Sequence, residues 1–212
     1  MKINEEITFF NGAVGPIETI VDAPADPRGI ALVCHPHPLF GGANTNKVAQ
    51  TLARSFVRLG YVALRPNFRG VGASAGTHDD GRGESEDMLA VLAQARQGFG
   101  ELPVALAGFS FGAYVQTGVA QALADAGQPA QGLVLVGTAA GYVEGARQYA
   151  TRAVPADTLV IHGSADTTVP LANVLAWAEP LELPVIVVPG ADHFFHRRLH
   201  IIRDILSRNW RH

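Results

Sequence analysis

Residues Val104–Ala113 have the sequence Val-Ala-Leu-Ala-Gly-Phe-Ser-Phe-Gly-Ala, which is the most informative segment of the chain. An apolar run of strand length leads into Gly-x-Ser-x-Gly, and a segment with helical spacing follows. The pattern predicts a strand, a sharp turn that exposes Ser110, and a helix, an arrangement called a nucleophile elbow. Gly108 and Gly112 are both needed, because side chains there would collide where the strand and helix cross. A tight turn with an incidental serine is the alternative interpretation.

Short apolar runs on both sides of this stretch alternate with longer segments whose apolar residues recur every three or four positions. Strands separated by crossover helices have this pattern, which predicts an α/β fold with a mostly parallel sheet. The eight predicted strands are Ile7–Phe10, Ile17–Val21, Ile30–His35, Tyr61–Arg65, Val104–Gly108, Gly132–Gly137, Thr158–His162 and Pro184–Val188. Too few residues separate the first two strands for a helix, so we expect them to form an antiparallel pair at one edge.

Helices are predicted between these strands and after the last one. They are expected at Asn46–Leu59, Glu84–Gln97, Phe111–Ala126, Leu171–Ala178 and Phe195–Trp210. No internal repeat, low-complexity tract or linker interrupts the pattern. We therefore expect one domain over residues 1–212, with helices on both faces of the sheet.

Composition narrows the functional class. Of the 212 residues, 48% are hydrophobic and 17% are charged, which suits a folded chain with a large core. The 16 basic and 19 acidic residues are scattered, without a basic stripe, so we expect no nucleic-acid partner. The apolar stretches are far shorter than the roughly 20 residues that span a bilayer, so we expect no membrane span. Cys34 is the single cysteine, and residues 1–8 lack the pattern of a secretory signal, which favours the cytoplasm.

Two further residues complete a candidate catalytic group with Ser110. A serine hydroxyl needs a base, and the base needs a carboxylate to orient it. Asp166 follows the predicted strand Thr158–His162, and His193 follows Pro184–Val188. Because the carboxyl ends of parallel strands meet at one edge of a sheet, we expect the three side chains to converge.

Each partner of Ser110 has an alternative. Asp166 is also suited to cap the helix that follows it or to bind its own turn. Asp192 competes as the carboxylate, but it adjoins His193 in sequence and its side chain should point elsewhere. His196 is the nearest rival base, and we expect it to lie within the final helix. We therefore favour Asp166 and His193.

The other histidines are interpreted differently. His35 and His162 end strands, and we expect them to be structural hydrogen-bonding residues. We expect His78, His200 and His212 to be exposed or incidental.

Ester cleavage also needs N–H groups directed at the oxyanion of the tetrahedral intermediate. The amide of Phe111, directly after the serine, is one donor. The second should come from the loop Cys34–Gly42, with the sequence Cys-His-Pro-His-Pro-Leu-Phe-Gly-Gly. Its prolines have no N–H, so His37 and Leu39 are the candidates, and the sequence does not separate them. A rigid turn without substrate contact is the alternative interpretation.

The segment Arg65–Ser74 contains Gly-x-Gly but is not a dinucleotide-binding loop. No predicted helix begins directly after it, and no third glycine has the required spacing. We expect a structural role in which Arg69 pairs with Glu84 or Asp87.

Together these motifs resemble those of the α/β-hydrolase superfamily over nearly the whole chain. They are Cys34–Gly42, Asn67–Ser74, Gly108–Gly112, His162–Asp166 and Asp192–His193, and they are similar to those of small bacterial carboxylesterase-like hydrolases. That group is similar in size to dienelactone hydrolases, which have a cysteine where this chain has Ser110. The resemblance implies an eight-stranded sheet with only the second strand antiparallel. It also implies a Ser110 nucleophile with Asp166 and His193 as partners, and neither a cofactor nor a metal.

Superfamily members that act on long acyl chains usually insert a lid after the sixth strand. Here only Thr138–Asp157 lies between the sixth and seventh strands, enough for one short helix around Tyr142–Ala150. We therefore expect no large lid, an open site, and a serine hydrolase that cleaves small-molecule short-chain esters or thioesters. The candidate pocket walls are Phe40, Phe111, Tyr142 and Phe194. The alternatives are a peptidase on the same fold and a catalytically silent ligand-binding protein.

Overall fold

Strands and helices alternate along the chain, as their sequence periodicity predicts. The structure is a computed structural model that describes residues 5–143 and 147–210. The strands are β1 (Glu5–Gly12), β2 (Gly15–Asp22), β3 (Gly29–Cys34), β4 (Tyr61–Pro66), β5 (Val104–Phe109), β6 (Gly132–Val136), β7 (Gly141–Val143), β8 (Arg147–Tyr149), β9 (Leu159–Gly163) and β10 (Val185–Val188). The helices are α1 (Lys47–Arg58), α2 (Arg82–Phe99), α3 (Phe111–Asp125), α4 (Leu171–Ala178) and α5 (Leu199–Asn209).

Eight of the strands form one sheet in the order β1-β2-β4-β3-β5-β6-β9-β10. β2 runs antiparallel to both β1 and β4, and the other neighbouring pairs are parallel. The predicted fold, a mostly parallel sheet with an antiparallel second strand, is confirmed. β5 is central, so the turn after it lies at the middle of the edge formed by the carboxyl ends of the parallel strands.

The sheet is buried on both faces because alternate side chains of each strand point to opposite sides. Leu106 of β5 packs into a core with α2 and α3, to which Met88 and Val119 contribute. Its neighbour Ala105 packs into the opposite core with α1 and α5, to which Phe56 and Ile202 contribute. The helices therefore cover both faces, as predicted.

None of the helices in residues 5–143 and 147–210 is long and apolar enough to cross a bilayer. The longest, α2, has 18 residues and carries charged side chains along its length.

The segment between β6 and β9 contains a hairpin, and the prediction of a helix around Tyr142–Ala150 is wrong. β7 and β8 pair in antiparallel register, while residues 144–146 lie outside the described residues. Val143 is buried in a cluster with α4, and the Asn173 side chain donates a hydrogen bond to the Tyr142 carbonyl oxygen at 2.5 Å. These contacts hold the backbone extended. The hairpin is small, and the expected absence of a large lid is confirmed.

The last helix begins at Leu199, whereas the sequence predicts a start at Phe195. Phe195 and Arg197 have φ angles of 52° and 61°, in the left-handed region that interrupts a right-handed helix. The Phe195 N–H donates to the carbonyl oxygen of Asp192 at 3.1 Å, which closes a turn. His196 therefore lies in the loop before α5, and the expectation that it belongs to the helix is wrong.

The loop after β4 is held by buried polar contacts. Arg69 forms two hydrogen bonds with the Asp87 carboxylate, Nε to Oδ2 and Nη2 to Oδ1, each at 2.9 Å. Of the two predicted partners, Asp87 is therefore the one that binds Arg69. The Ser74 hydroxyl donates to the Asn67 carbonyl oxygen at 2.9 Å. These contacts agree with the structural role expected for the segment.

Candidate active site

Ser110 lies in a strained turn between β5 and α3. Its φ of 56° and ψ of −119° are unusual for a residue with a side chain. A Cβ atom on Gly108 would lie 2.5 Å from the carbonyl carbon of Gly112, and one on Gly112 would lie 2.5 Å from the carbonyl oxygen of Cys34. Both contacts are impossible, so glycine is required at both positions. The strand and helix thereby cross closely and leave the serine at the tip of the turn.

Ser110, His193 and Asp166 form a continuous chain of contacts, and all three are buried. His193 Nε2 lies 2.9 Å from the Ser110 hydroxyl oxygen. His193 Nδ1 lies 2.7 Å from Oδ2 of Asp166. A carboxylate only accepts hydrogen bonds, so Nδ1 carries the proton and Nε2 accepts from the hydroxyl. The hydroxyl therefore has a base within reach, and the base is oriented by a carboxylate.

Asp166 is held by its own turn as well as by His193. Its Oδ1 accepts the N–H groups of Thr168 and Val169 at 3.0 and 2.8 Å. Both expectations for Asp166 therefore hold at once: Oδ1 binds the turn, and Oδ2 contacts His193. His162 Nε2 lies 2.9 Å from the Val169 carbonyl oxygen, and burial lowers the pKa of His162. His162 makes the structural hydrogen bond expected of it.

The loop that carries His193 packs closely against the end of β9. A Cβ atom on Gly163 would overlap the carbonyl oxygen of Ala191. The rival carboxylate Asp192 contacts His196 instead, with Oδ2 2.6 Å from Nδ1 of that ring. Asp192 and His196, the alternative carboxylate and the alternative base, therefore bind each other at the surface. The Asp192 side chain points elsewhere than to His193, as expected.

His35 makes hydrogen bonds to the loop Cys34–Gly42 and to the loop after β4. Its Nδ1–H donates to the Pro36 carbonyl oxygen at 2.7 Å, and its Nε2 accepts the Phe68 N–H at 3.0 Å. Burial lowers the pKa of His35 to about 4. The ring is therefore neutral at physiological pH and ties the loop after β3 to the loop after β4.

The two candidate residues for the second oxyanion donor differ in their surroundings. The Leu39 N–H donates to His37 Nδ1 at 3.3 Å, inside a single helical turn, and the Leu39 side chain is 70% exposed. By contrast, the N–H groups of His37 and Phe111 donate to no acceptor within residues 5–143 and 147–210. Both of these residues are buried beside Ser110. The Leu39 amide is already engaged by its own turn.

His78 is a residue that the sequence interpretation missed. Its side chain is only 10% exposed, so the expectation that it is exposed or incidental is wrong. The His78 ring centre lies 4.7 Å from that of His37 and 5.1 Å from that of Phe111. Its Nδ1 lies 3.0 Å from the buried Glu84 carboxylate. No local sequence pattern marks His78, because its neighbours come from other loops. His200 is exposed, as expected, and His212 lies outside the described residues.

Comparison with known proteins identifies the family. The family model for serine aminopeptidases, S33, matches residues 25–154, which include Ser110 and the loop Cys34–Gly42. The chain belongs to this family of α/β-hydrolases. The expected superfamily is thereby confirmed.

Two solved structures resemble this α/β-hydrolase over almost its whole length. XC6422 from Xanthomonas campestris, an α/β serine hydrolase without a lid, is 37% identical, with 99% of this chain and 94% of that chain covered and a TM-score of 0.85. An α/β serine hydrolase homologue from Coxiella burnetii is also 37% identical, with 100% and 99% covered and a TM-score of 0.82.

A further relative matches over a shorter region. Uncharacterized protein RP471 of Rickettsia prowazekii (strain Madrid E) is 44% identical over 109 residues, which are 50% of this chain and 46% of that protein. The match therefore spans about half the length of that relative.

A cavity of about 370 Å³ opens beside the serine of this α/β-hydrolase. Its described lining consists of Pro36, His37, Phe40, Gly41, Gly42, Asn46, Ser110, Arg147, Thr168, His193 and Phe194. Phe40 and Phe194, two of the predicted walls, line the cavity and are 66% and 45% exposed. The Phe111 ring instead packs against His37 and His78. Tyr142 and Leu39 are exposed and are not among the lining residues.

Arg147 is the second residue of the site that sequence reasoning missed. It begins β8, and its guanidinium carbon lies 4.1 Å from the centre of the Phe40 ring. The hairpin brings it to the cavity from a position far along the chain. Since the sequence predicts a helix here, no sequence signal would have placed this cation beside Ser110.

Proposed function

We propose that this α/β-hydrolase cleaves short-chain carboxylic esters or thioesters through an acyl-enzyme intermediate. The observation that carries the proposal is the contact chain from Ser110 through His193 to Asp166, at 2.9 and 2.7 Å. A protein that only binds a ligand has no need for a serine in a strained turn, a base and a carboxylate in this order. A covalent serine mechanism needs all three.

In the first step, the Ser110 hydroxyl oxygen attacks the substrate carbonyl carbon while His193 Nε2 takes the hydroxyl proton. Asp166 stabilises the imidazolium that forms and keeps its orientation. The negative charge on the carbonyl oxygen is bound by the N–H of Phe111, at the start of α3, where the helix dipole assists. We assign the second N–H to His37, because the Leu39 amide donates within its own turn.

In the second step, the imidazolium of His193 gives its proton to the departing alkoxide or thiolate, and the acyl group stays on Ser110. Water then enters, and His193 takes its proton as the water oxygen attacks the acyl carbon. The ester bond to Ser110 breaks, and the serine oxygen regains the proton from His193. The products are the free acid and the restored hydroxyl, with no cofactor required.

The size of the cavity supports small substrates. Its volume of about 370 Å³ lies near the lower end of the range typical of small-molecule sites. The exposed rings of Phe40 and Phe194 provide apolar surface at its mouth. Short acyl chains fit this space, and a long chain would extend into solvent.

A peptidase activity is the second candidate, and the family description favours it. An aminopeptidase needs a carboxylate that binds the positively charged amino group of its substrate. The described residues that line the cavity include no Asp or Glu. A panel of aminoacyl p-nitroanilides separates the two, because only a peptidase releases p-nitroaniline from them.

Covalent labelling with a fluorophosphonate probe tests the proposal. Intact mass and peptide mapping should find the added mass on Ser110 in the wild type and no label in Ser110→Ala. The exposed Ser207 in α5 offers a matched control, and Ser207→Ala should label like the wild type. Ser110→Ala should also fail to hydrolyse butyryl esters and thioesters. A folded wild type that neither labels nor hydrolyses them would contradict the proposal and favour the ligand-binding alternative.

A further inference from the structure

His78 packs against both residues to which the oxyanion amides are assigned. Its side chain is only 10% exposed, and its ring centre lies 4.7 Å from that of His37 and 5.1 Å from that of Phe111. The rings of His37 and Phe111 also contact each other, with their centres 4.8 Å apart. His37 lines the active-site cavity, whereas His78 is not among its described lining residues. Any effect of His78 on the reaction therefore acts through its two neighbours.

The position of His78 is fixed from the start of α2. Its Nδ1 lies 3.0 Å from Oε1 of Glu84, whose side chain is fully buried. The Glu84 carboxylate also accepts the N–H groups of Asp79 and Gly81, at 2.9 and 2.8 Å. The other ring nitrogen of His78, Nε2, lies 3.2 Å from the exposed Asp80 carboxylate. One buried carboxylate thus ties the segment that carries His78 to the first turn of the helix.

The His37 N–H belongs to a peptide unit whose carbonyl end is held by a hydrogen bond. A peptide unit is planar, so the Pro36 carbonyl and the His37 N–H point in opposite directions. The Pro36 oxygen accepts the Nδ1–H of His35 at 2.7 Å. On the other side, the His37 carbonyl oxygen accepts the N–H groups of Phe40 and Gly42, each at 3.1 Å. Hydrogen bonds therefore fix the backbone on both sides of His37, and packing holds its side chain.

His37 must be neutral to hold its own turn. Its Nδ1 accepts the Leu39 N–H at 3.3 Å, which a protonated ring, with both nitrogens as donors, cannot do. Burial, His78 and Arg147 lower the pKa of His37 to about 4, in that order of effect, against a smaller rise caused by Asp80. His78 therefore supports this conformation of the loop both by contact and by its electrostatic effect.

We propose that His78 is a positioning residue for the oxyanion amides: its ring holds His37 and Phe111 so that their N–H groups face the carbonyl oxygen of the bound substrate. This inference rests on the proposed function and deepens it. The amides bind the carbonyl oxygen most strongly when it carries the negative charge of the tetrahedral intermediate. Loss of the His78 ring should therefore weaken binding of the transition state and leave binding of the uncharged substrate nearly unchanged.

A trifluoromethyl ketone separates these two kinds of binding. The Ser110 oxygen attacks the carbonyl carbon of 1,1,1-trifluoroheptan-2-one, His193 takes the serine proton, and the carbonyl oxygen gains the electron pair as an oxyanion. Heptan-2-one has the same chain but is far less electrophilic, so it measures binding of the uncharged carbonyl. The readouts are kcat and KM for p-nitrophenyl butyrate and the inhibition constant Ki of each ketone. A residue that only stabilises the fold would not change the ratio of the two Ki values.

His78→Ala should lower kcat by about 10- to 100-fold and change KM by less than about 3-fold, because displacing a donor costs less than removing it. The Ki of the trifluoromethyl ketone should rise by about the factor by which kcat/KM falls, and that of heptan-2-one should stay within about 3-fold. His78→Phe keeps a flat ring against His37 and Phe111, and it should keep kcat within about 5-fold of the wild type. His78→Leu fills the space without a flat ring. It should fall between these two variants, and it gives the same test where the alanine variant does not fold.

Two further variants are controls. Leu123 is buried near the end of α3, about 18 Å along the helix from Phe111. Leu123→Ala should lower the melting temperature and keep the wild-type ratio of Ki values. His200→Ala removes an exposed histidine and should match the wild type in every readout.

The outcomes separate this inference from the function on which it rests. A His78→Ala protein with wild-type kcat, or one in which both Ki values change by the same factor, would overturn the inference and leave the esterase proposal intact. Equal losses in His78→Phe and His78→Ala would also overturn it, because ring packing would then not be the cause. A wild type that neither hydrolyses p-nitrophenyl butyrate nor reacts with the fluorophosphonate would overturn both.

Discussion

The Asp166 carboxylate binds His193 with one oxygen and its own turn with the other. Oδ2 lies 2.7 Å from His193 Nδ1, while Oδ1 accepts the N–H groups of Thr168 and Val169. The turn therefore fixes the orientation of the Asp166 carboxylate independently of its contact with His193. A residue so placed orients the imidazole without needing to move, which is what a serine mechanism requires of this position.

Replacing Asp166 by asparagine should lower kcat strongly with little loss of stability. The asparagine carbonyl can still accept the two turn amides, but its NH2 group then faces His193 and favours the wrong tautomer. We expect kcat for a butyryl ester to fall by about 10³- to 10⁴-fold. Steady-state kinetics and thermal unfolding measure the two effects.

Asp192 provides the matched control for this change. It lies next to His193 in sequence but contacts His196 at the surface. Asp192→Asn should keep wild-type kcat within about 2-fold, since surface changes have small effects. A loss as large as that of Asp166→Asn would show that the carboxylate assignment is incorrect.

Gly112→Ala should destabilise the turn that presents Ser110. The new Cβ atom would lie 2.5 Å from the Cys34 carbonyl oxygen, and its near neighbours are backbone atoms of Cys34 and His35, which cannot move aside as a flexible side chain can. We expect a loss of about 1–3 kcal/mol in the free energy of unfolding and a loss of fluorophosphonate labelling. Urea unfolding and the labelling assay measure these.

Gly98 in α2 offers a comparison, because a Cβ atom there would meet nothing within 4 Å. Gly98→Ala should stabilise the protein by about 0.5–1 kcal/mol and leave labelling intact. If both variants behaved alike, the steric explanation for Gly112 would fail.

Loss of the buried ion pair between Arg69 and Asp87 should strongly lower the free energy of unfolding. Asp87→Ala leaves the Arg69 guanidinium buried without its carboxylate, which costs about 3–5 kcal/mol in the free energy of unfolding. Arg82→Gln removes an exposed partner of Asp79 and should leave the urea midpoint nearly unchanged. Similar midpoints for the two variants would contradict this account.

His35 should make the protein less stable as the pH falls. Its folded pKa of about 4 lies below the ordinary value of 6.5, so between these values the unfolded chain binds a proton that the folded chain does not. Above about pH 7 the folded and unfolded states bind the same number of protons at His35. Between about pH 7 and pH 5 this group should lower the free energy of unfolding by roughly 1–2 kcal/mol. Protonation would also break the hydrogen bond that Nε2 accepts from Phe68.

Urea unfolding at the two pH values measures this dependence. His35→Gln should have a smaller pH dependence than the wild type, and His200→Gln, which changes an exposed histidine, should match the wild type. An unchanged dependence in His35→Gln would mean that other groups cause it.

The rate of ester cleavage should depend on acyl length. With a cavity of about 370 Å³ and a small hairpin in place of a lid, kcat/KM should be highest for short acyl chains and decline beyond about C8. A series of p-nitrophenyl esters measures this dependence. Activity that rises steadily beyond C8 would indicate an apolar channel that the described cavity does not provide.

Much of the fold was predictable because its signals are local. The alternation of apolar strand segments with helical periodicity depends on neighbouring residues alone, and it correctly predicted the sheet. The hairpin of β7 and β8 was not predictable, since each strand has three residues and is held by contacts with α4. The start of α5 was mispredicted because left-handed φ angles at Phe195 and Arg197 interrupt an otherwise helical pattern.

Local sequence patterns were enough to predict the Gly-x-Ser-x-Gly turn and the convergence of Ser110, Asp166 and His193. Strand ends carry these residues, and parallel strands bring their ends to one edge. By contrast, the packing of His78 beside His37 and of Arg147 over the Phe40 ring is evident only in the folded chain. Such contacts join residues far apart in the chain, and their formation depends on how loops pack in three dimensions rather than on any periodicity that a sequence displays.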